Sequence, residues 1–361
     1  MTDASTDPVI PTDQAGSTSQ VGAPAPGGSS SPGSTGSRPV SARLRPLVGP
    51  FALLAILVVF GALYPNTFLS RENLMVNVLD TVTFLVIAAS AQTIVMVVGD
   101  FDLSVGGLAA LATSFAAALL ATKTLGGDPQ EPGNVLIAVL IGLAVGLICG
   151  LINGALVSYL GVLAFIATLG MSQVYTNLAR YRVDGKPVYG LVEPGFVEIA
   201  RTSTFGISNK IWIAAMIAGA IWFLLDRTTL GRRMYAVGGN AEAARYAGID
   251  TKKIRLIAFA LCGVVAAAAG LLQAASTATA NTTATAPWML TSIAGVFLGM
   301  AMFRGGRPNL PGTVLGVILL RLLENGLNFT DINDYLQSAI TGLVIVIAVL
   351  PPALARLRAS R

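Results

Sequence analysis

The sequence predicts an all-α protein, a polytopic bundle of about ten transmembrane helices. Apolar residues make up 54% of the 361 residues and charged residues 11%, with a mean hydropathy of +0.72. A soluble domain carries roughly 25% charged residues. Apolar runs also recur from Pro46 onward, near the roughly 20 residues with which a helix crosses a hydrocarbon layer about 30 Å thick. The chain is therefore expected to reside in a membrane.

Two tails flank the apolar region. The first 37 residues contain 24 Ser, Thr, Gly or Pro and no Lys or Arg, a composition that buries too little apolar surface to offset the entropy lost on ordering. Residues 1–45 are therefore predicted to be a disordered cytoplasmic tail. Asp3, Asp7 and Asp13 stand where a secretory signal would carry basic residues, so no cleavage is expected. Residues 352–361 are predicted to be a basic cytoplasmic tail.

The region 46–351 is predicted to be one transmembrane domain. Its spans are predicted at 47–64, 77–98, 103–121, 135–158, 162–180, 208–225, 254–274, 287–303, 311–329 and 334–351. The second and third spans meet at a glycine-rich turn, as do the eighth and ninth, and such turns can lie inside a membrane where protein surrounds them. Gly142, Gly146, Gly150 and Gly154 recur every four residues in the fourth span, which favours close helix packing over a hinge.

Basic residues predict the orientation. With the N-terminus in the cytoplasm, the inner side receives 15 Lys or Arg and the outer side 7. Cytoplasmic loops of membrane proteins carry this excess. Both termini are therefore expected in the cytoplasm, and the protein in the plasma (inner) membrane.

One long polar break, about 226–253, separates the sixth and seventh spans. Asn240 is a suitable N-cap, Glu242 lies in the first turn where the helix dipole favours an anion, and Gly248 can adopt a left-handed stop. The break therefore predicts a helix of about two turns that a soluble partner could push, preceded by flexible glycines at 238 and 239. An ordinary basic loop is the alternative. The residues assigned to this coupling role are Gly231, Arg232, Arg233, Gly238, Gly239, Asn240, Glu242, Ala243, Ala244 and Gly248.

Three ordered blocks resemble permease subunits of the ribose/xylose-type family of ATP-binding-cassette importers. They are VVGDFDLSVGGLAAL (97–111), GRRMYAVGGNAEAARYAGI (231–249) and FRGGRPNLPGTVLGVILLRLLENGLN (303–328), and the likeness extends over about 46–351. One departure lies in the first block, where the family commonly has two glycines and an aliphatic residue before the aspartate. Here Gly99, Asp100 and Phe101 precede Asp102, so an extra carboxylate is present.

Polar residues within the apolar spans are candidates for a route across the membrane. A sugar offers hydroxyls and no charge, so amides and hydroxyls suit its passage. The alternative for each is a hydrogen bond between helices, and Asp102 could instead cap the third helix. Arg321 and Glu324 could neutralise each other or meet a partner. The pathway candidates are Gln92, Asp100, Asp102, Ser104, Asn153, Thr168, Asn177, Asn325 and Asn328.

Several function classes are disfavoured. The chain has no histidine, its two cysteines lie in apolar segments, and it has no Gly-x-x-x-x-Gly-Lys-Ser/Thr sequence, so neither a catalytic site, a metal site nor a nucleotide site is expected. No nucleic-acid partner is expected. The resemblance implies a second permease subunit, a separate cytoplasmic ATPase that binds ATP and Mg²⁺, an extracytoplasmic sugar-binding protein and a monosaccharide or polyol as cargo. The competing class is an ion-coupled secondary transporter or facilitator, with Asp100 and Asp102 as its candidate ion site.

Overall fold

The computed structural model describes residues 48–121, 133–303, 306–330, 332–333, 335–337, 339–343 and 346. Both predicted tails and half of the predicted tenth span lie outside these residues. The helices are α1 (Val48–Leu63), α2 (Asp80–Val97, preceded by a π-helical segment Asn73–Leu79), α3 (Val105–Leu120), α4 (Val135–Ser158), α5 (Ala164–Arg182), α6 (Pro194–Arg201), α7 (Asn209–Arg227), α8 (Thr229–Gly239), α9 (Ala241–Tyr246), α10 (Thr251–Thr277), α11 (Trp288–Met302) and α12 (Leu310–Leu327). Short strands β1 (Val188–Tyr189) and β4 (Thr279–Ala280) pair antiparallel, as do β2 (Ser203–Thr204) and β3 (Ile207–Ser208).

The described helices coincide with nine of the ten predicted spans, each within a few residues. Within the described residues, five helical segments are long and apolar enough to cross a membrane: Asn73–Val97, Val135–Ser158, Asn209–Arg227, Thr251–Thr277 and Leu310–Leu327. Leu53–Leu63, Val105–Leu120 and Trp288–Met302 are shorter apolar helices. The structure is therefore the predicted helical membrane bundle, whereas the count of ten and the direction of the termini stay predictions.

The glycine stripe of α4 is a packing surface, as predicted. A side chain at Gly150 would overlap the Phe259 carbonyl oxygen of α10, and one at Gly146 would lie 2.6 Å from the Gly263 carbonyl oxygen. Gly263 in turn faces the backbone of Gly146 and Gly150. Because Gly146, Gly150 and Gly263 carry no side chain, the backbones of α4 and α10 approach closely at these positions. The 27-residue α10 is thereby held at the centre of the bundle, where it also contacts α2 and α3.

One end of the bundle carries the β2–β3 hairpin, and the other carries the short helices α8 and α9. Helix α7 runs from the β2–β3 hairpin at one end to α8 and α9 at the other. Helix α10 returns from α9 to the first end, where Ser276 accepts a hydrogen bond from Arg201 of α6. These two ends are called the hairpin end and the α9 end below.

Helix α3 begins inside the bundle, because the chain before it re-enters from the α9 end. Asp100 contacts Arg255, four residues into α10, whereas Asp102 contacts Cys262, eleven residues into that helix. At a rise of about 1.5 Å per residue these levels are about 6 and 16 Å from the start of α10. The segment Gly99–Ser104, called the re-entrant segment, thus extends about 10 Å into the helical bundle from the α9 end.

A second non-helical segment reaches the same level from the hairpin end. Residues 281–287 connect β4 to α11, and the Thr285 hydroxyl donates to the Gly106 carbonyl in the first turn of α3 at 2.8 Å. Phe101 and Phe297 of α11 lie 5.9 Å apart between ring centroids. Two interrupted helices therefore meet within the bundle. The turn predicted between the second and third spans therefore lies inside the helical bundle, and its depth in a membrane stays a prediction.

Candidate functional site

The polar break contains two helices rather than one helix on a flexible approach. Gly238 and Gly239 were expected to loosen the chain, and this was wrong, because both belong to α8. Gly238 packs on the end of α2 so closely that a side chain there would overlap the Val97 carbonyl oxygen, and its Cα lies 3.5 Å from the position of a Gly99 side chain. The glycine therefore permits close approach of two backbones within a regular helix.

The short helix α9 forms as the sequence predicts. The Asn240 side chain accepts a hydrogen bond from the Ala243 amide at 2.9 Å, and Glu242 lies in the first turn. Gly248 has φ +81°, a left-handed conformation that ends the helix. Asp250 then caps α10 by accepting from the Lys253 amide at 3.0 Å. Two caps joined by a glycine turn fix the direction of α9 relative to α10.

The outward face of α9 is open. Ala244 is buried, whereas Glu242, Ala243 and Arg245 are exposed and Tyr246 is 79% exposed. The Tyr246 ring lies 5.7 Å from the Arg245 guanidinium carbon. Tyr246 was not among the residues predicted to form the coupling site. An aromatic residue on an exposed short helix could have indicated a contact surface, because aromatic residues are enriched in protein interfaces.

The coupling residues of α8 divide into buried and exposed positions. Thr228 caps this helix by accepting from the Gly231 amide at 3.1 Å, and Gly231 is buried against the end of α7. Met234 and Val237 anchor α8 in an apolar cluster with Ile94 and Val97 of α2. Arg232 and Arg233 are exposed. Helix α8 thus presents cations outward and an apolar face to α2.

The two carboxylates of the re-entrant segment have different partners. Asp100 Oδ2 lies 3.1 Å from Arg255 Nε at the start of α10. Asp102 is fully buried, and its Oδ1 accepts from the Ser104 amide at 2.8 Å and from the Ser104 hydroxyl at 2.6 Å. Ser104 occupies the N-cap position of α3. Asp102 therefore stabilises the turn into α3 without being the cap itself, which corrects the expectation that it could be the cap.

A buried hydrogen-bond network extends from Asp102 to α4 and α5. The Asn153 amide donates to Ser104 Oγ at 2.7 Å and lies 3.5 Å from Asp102 Oδ2, while its oxygen accepts from the Tyr175 hydroxyl at 3.1 Å. Cys262 Sγ lies 3.7 Å from Asp102 Oδ2. Four helices are joined through this network, and Tyr175 and Cys262 are members that the sequence analysis did not assign to it.

Gln92 and Thr168 hold the backbone of the re-entrant segment. The Thr168 hydroxyl accepts from the Leu103 amide at 3.0 Å. Gln92, in the amide orientation that suits both neighbours, donates to the Asp102 carbonyl at 2.8 Å and accepts from the Asp102 amide at 3.3 Å. Within a membrane, backbone N–H and C=O groups outside a helix must be hydrogen-bonded by the protein itself. The Gln92 and Thr168 side chains therefore have a structural role in the re-entrant segment.

The remaining pathway candidates lie away from this network. Asn177 is exposed on α5, where its amide donates to the Gln173 carbonyl at 2.8 Å. Asn325 exchanges hydrogen bonds with Asn73 at 2.8 and 3.0 Å, and Asn328 is exposed at the end of α12. Arg321 pairs with Glu324 at 2.8 Å within α12, which confirms the neutralisation predicted from their spacing. The structure therefore does not gather these asparagines into one site.

Uncharged polar side chains of α5 and of segment 281–287 lie against the first turn of α3. A side chain at Gly107 would lie 2.6 Å from the Thr176 hydroxyl of α5, and Gly106 is bonded to Thr285. Gln173 on α5 and Asn281 and Thr283 in the second non-helical segment are exposed. The Thr176 and Thr285 hydroxyls thus border the point where the helices are interrupted. In the part of the chain that the structure describes, no group of three His, Cys, Asp or Glu could hold a metal ion.

Comparisons with known proteins agree on one class. The family described as "Branched-chain amino acid transport system / permease component" matches residues 74–349. The ribose import permease protein RbsC of Escherichia coli K12 is 35% identical over 304 residues, 83% of this chain and 91% of that protein. RbsC of Bacillus subtilis is 36% identical over 304 residues, with 84% and 91% covered. The D-allose transport system permease protein AlsC of E. coli K12 is 34% identical over 303 residues, with 83% and 90% covered.

Proposed function

Because this chain belongs to the family of branched-chain amino acid transport system permease components, we propose that it forms the translocation pathway of an ATP-binding-cassette importer for a monosaccharide. The observation that carries the proposal is the 35% identity to a ribose import permease over 91% of that protein. The chain is a multi-pass protein of the inner membrane and a non-catalytic permease component.

A sugar is favoured over an amino acid as cargo. Relatives named for ribose, D-allose and L-arabinose match along more than four-fifths of this chain. An amino acid carries two opposite charges at neutral pH and would call for paired ionic groups, whereas Gln173, Asn281 and Thr283 beside the interrupted helices offer amides and hydroxyls. Such groups can exchange hydrogen bonds with sugar hydroxyls without holding them tightly.

The route is assigned to the exposed face of α5 and the adjoining segment 281–287. Gln173 and Asn177 are exposed on α5, which corresponds to the predicted fifth span, and an amide facing lipid would lose its hydrogen bonds with water. A second permease subunit, identical or related, would cover this face and leave the amides to line a route between two copies. The two interrupted helices would then lie beside that route, as in transporters whose sites are built from discontinuous helices.

The driving force is assigned to a separate cytoplasmic ATPase that binds ATP and Mg²⁺ and docks on α9. The basic α8 and α9 carry Arg232, Arg233 and Arg245, which favours a cytoplasmic α9 end. Exposed Tyr246 and Glu242 would contact the ATPase, and a movement of α9 would pass to α10 through the Asp250 cap. An extracytoplasmic sugar-binding protein would deliver the monosaccharide at the hairpin end.

Disrupting α9 tests this coupling. We expect Ala243→Pro to abolish the Asn240 cap bond and Tyr246→Ala to remove the aromatic contact, and both to lower ATP-dependent sugar uptake in vesicles that contain the ATPase and binding protein. Glu242→Arg should act in the same direction. Tyr181→Ala, which alters a tyrosine 83% exposed on α5, serves as the matched control for ATPase recovery. Normal co-purification of the ATPase with the Ala243→Pro and Tyr246→Ala variants would contradict docking on α9.

An ion-coupled secondary transporter is the alternative function. It would need a carboxylate free to bind the coupling ion, yet Asp100 already pairs with Arg255 and Asp102 accepts two hydrogen bonds from Ser104. These partners favour the ATP-driven importer. Sugar uptake into vesicles that contain this chain alone distinguishes the two functions. Accumulation driven by an ion gradient without an ATPase would establish the alternative.

A further inference from the structure

The β2–β3 hairpin has an unusual tip. Its two turn residues, Phe205 and Gly206, have φ +55° and +76°, a turn in which Asn-Gly is strongly preferred. A bulky residue is disfavoured in the left-handed region, and Phe205 is nevertheless 93% exposed. Neither its backbone conformation nor its burial within the chain favours phenylalanine here. A contact outside the chain would account for it.

The hairpin stands at the end of a helix that is long and apolar enough to cross a membrane. It directly precedes α7, the span Asn209–Arg227, of which only 22% is buried in the chain. Trp212, in the first turn of α7, is 44% exposed and donates from its indole nitrogen to the Thr204 carbonyl at 3.4 Å. Met216 and Phe223 continue the exposed apolar surface toward the other end. Aromatic residues at such a helix end mark the layer of lipid headgroups.

A cavity of about 340 Å³ opens beneath the hairpin. Its walls combine exposed apolar residues, Met75 and Val76, with three charged residues, Asp80, Arg201 and Lys210. Lys210 Nζ pairs with Asp80 at 2.7 Å. Arg201 uses Nε to bond the Ser276 carbonyl at 2.9 Å, and among the described residues no carboxylate pairs with it. One positive charge therefore remains uncompensated in the wall.

We propose that this cavity binds the phosphate headgroup of an anionic phospholipid from the leaflet at the hairpin end. The Arg201 guanidinium matches the single negative charge of a phosphodiester and can donate its remaining N–H groups to the phosphate oxygens. Met75 and Val76 provide apolar surface for the start of the acyl chains. Phe205 enters the same leaflet beside Trp212, which offsets its unfavourable backbone conformation.

Lipid titration of the purified protein tests the headgroup site. With native mass spectrometry, we expect phosphatidylglycerol to bind the intact protein about tenfold more weakly after Arg201→Gln, because a charge-assisted bond is lost. Arg201→Lys should bind the lipid with intermediate affinity, since lysine keeps the charge but lacks the paired N–H donors of the guanidinium. Lys186→Gln, in an exposed turn at the hairpin end, should bind the lipid as the wild type does. Equal binding by the wild type and Arg201→Gln overturns the proposal. Displacement of the lipid by glycerol 3-phosphate at similar concentration overturns it too, in favour of a soluble anion.

A fluorescent label tests the position of the hairpin independently. Cys149 and Cys262 are buried, so Phe205→Cys and Lys186→Cys each provide one accessible thiol for bimane. In phospholipid nanodiscs we expect nitroxide-labelled headgroups to quench the label at position 205 strongly and the label at 186 weakly, with iodide in water giving the reverse order. Stronger iodide quenching at 205 would place the tip in water and overturn the lipid contact.

Discussion

Asp100 and Arg255 join the re-entrant segment to the second turn of α10, with Asp100 Oδ2 3.1 Å from Arg255 Nε. The two atoms stand at ion-pair distance without the alignment of a hydrogen bond. Arg255 lies five residues after Asp250, which caps α10 directly after α9. The pair is therefore a short physical link between the proposed ATPase contact and the interrupted helices.

Breaking this pair should reduce coupling. We expect Asp100→Asn and Arg255→Met each to lower the free energy of unfolding by about 1 to 3 kcal/mol, because one partly buried charge loses its partner. Sugar uptake per ATP hydrolysed should fall in vesicles holding the complete transporter. The exchanged pair Asp100→Arg with Arg255→Asp should recover part of that ratio. If the single variants keep the wild-type ratio while losing stability, the pair has only a structural role.

Close packing of Gly238 gives a second prediction. Gly238→Ala should separate α8 from α2, since the added methyl group would overlap the Val97 carbonyl oxygen, whereas Gly239→Ala meets no atom within 4 Å. Alanine favours a helix over glycine by about 1 kcal/mol. Thermal unfolding in detergent should therefore show a lower melting temperature for Gly238→Ala and an unchanged or higher one for Gly239→Ala. Equal stability of the two variants would contradict the contact.

The Asn240 cap gives a third prediction, which separates helix formation from residue identity. Asn240→Ala should destabilise α9 by about 1 kcal/mol, because the Ala243 amide loses its acceptor. Asn240→Asp should restore the cap and with it sugar uptake. Uptake and the rate of amide hydrogen exchange across 241–247 can be measured on the same preparations. If Asn240→Asp restores protection from hydrogen exchange but not sugar uptake, the Asn240 side chain itself makes a contact that uptake requires.

Local features of the sequence predicted the elements well. Nine predicted spans correspond to described helices because apolar length alone marks a membrane helix. The Asn240 cap and the Gly248 stop are encoded within nine residues, so they could be recognised without the fold. The lining of α4 by glycine also predicted a close helix contact, though not that its partner would be α10.

Relations between distant residues could not be predicted in the same way. Gly238 and Gly239 suggest flexibility when read alone, and only the proximity of Val97 explains a glycine within a helix. The Asp102 network joins residues up to 160 positions apart, and nothing in the spacing of Asn153, Tyr175 or Cys262 indicates that they meet. The pathway candidates were chosen as polar residues in apolar spans, a criterion that selects buried structural groups and exposed amides alike.

Substitutions in the buried Asp102 network and substitutions of the exposed amides on α5 should therefore affect transport differently. Asp102→Ala removes the acceptor of the Ser104 amide and hydroxyl within a fully buried network, so we expect a loss of about 2 to 4 kcal/mol in stability. Tyr175→Phe should cost about 1 kcal/mol. Both should lower the maximal uptake rate through loss of folded transporter while leaving the sugar concentration for half-maximal uptake unchanged.

Asn177→Ala and Gln173→Ala should show the opposite pattern, because both amides lie on the exposed face of α5. Neither substitution removes a bond to another helix, so stability should change by less than about 0.5 kcal/mol. The sugar concentration for half-maximal uptake should rise if these amides line the route between two copies. Measured with purified binding protein in excess, an unchanged value for both variants together with a raised one for Asp102→Ala would move the pathway from the face of α5 to the buried network.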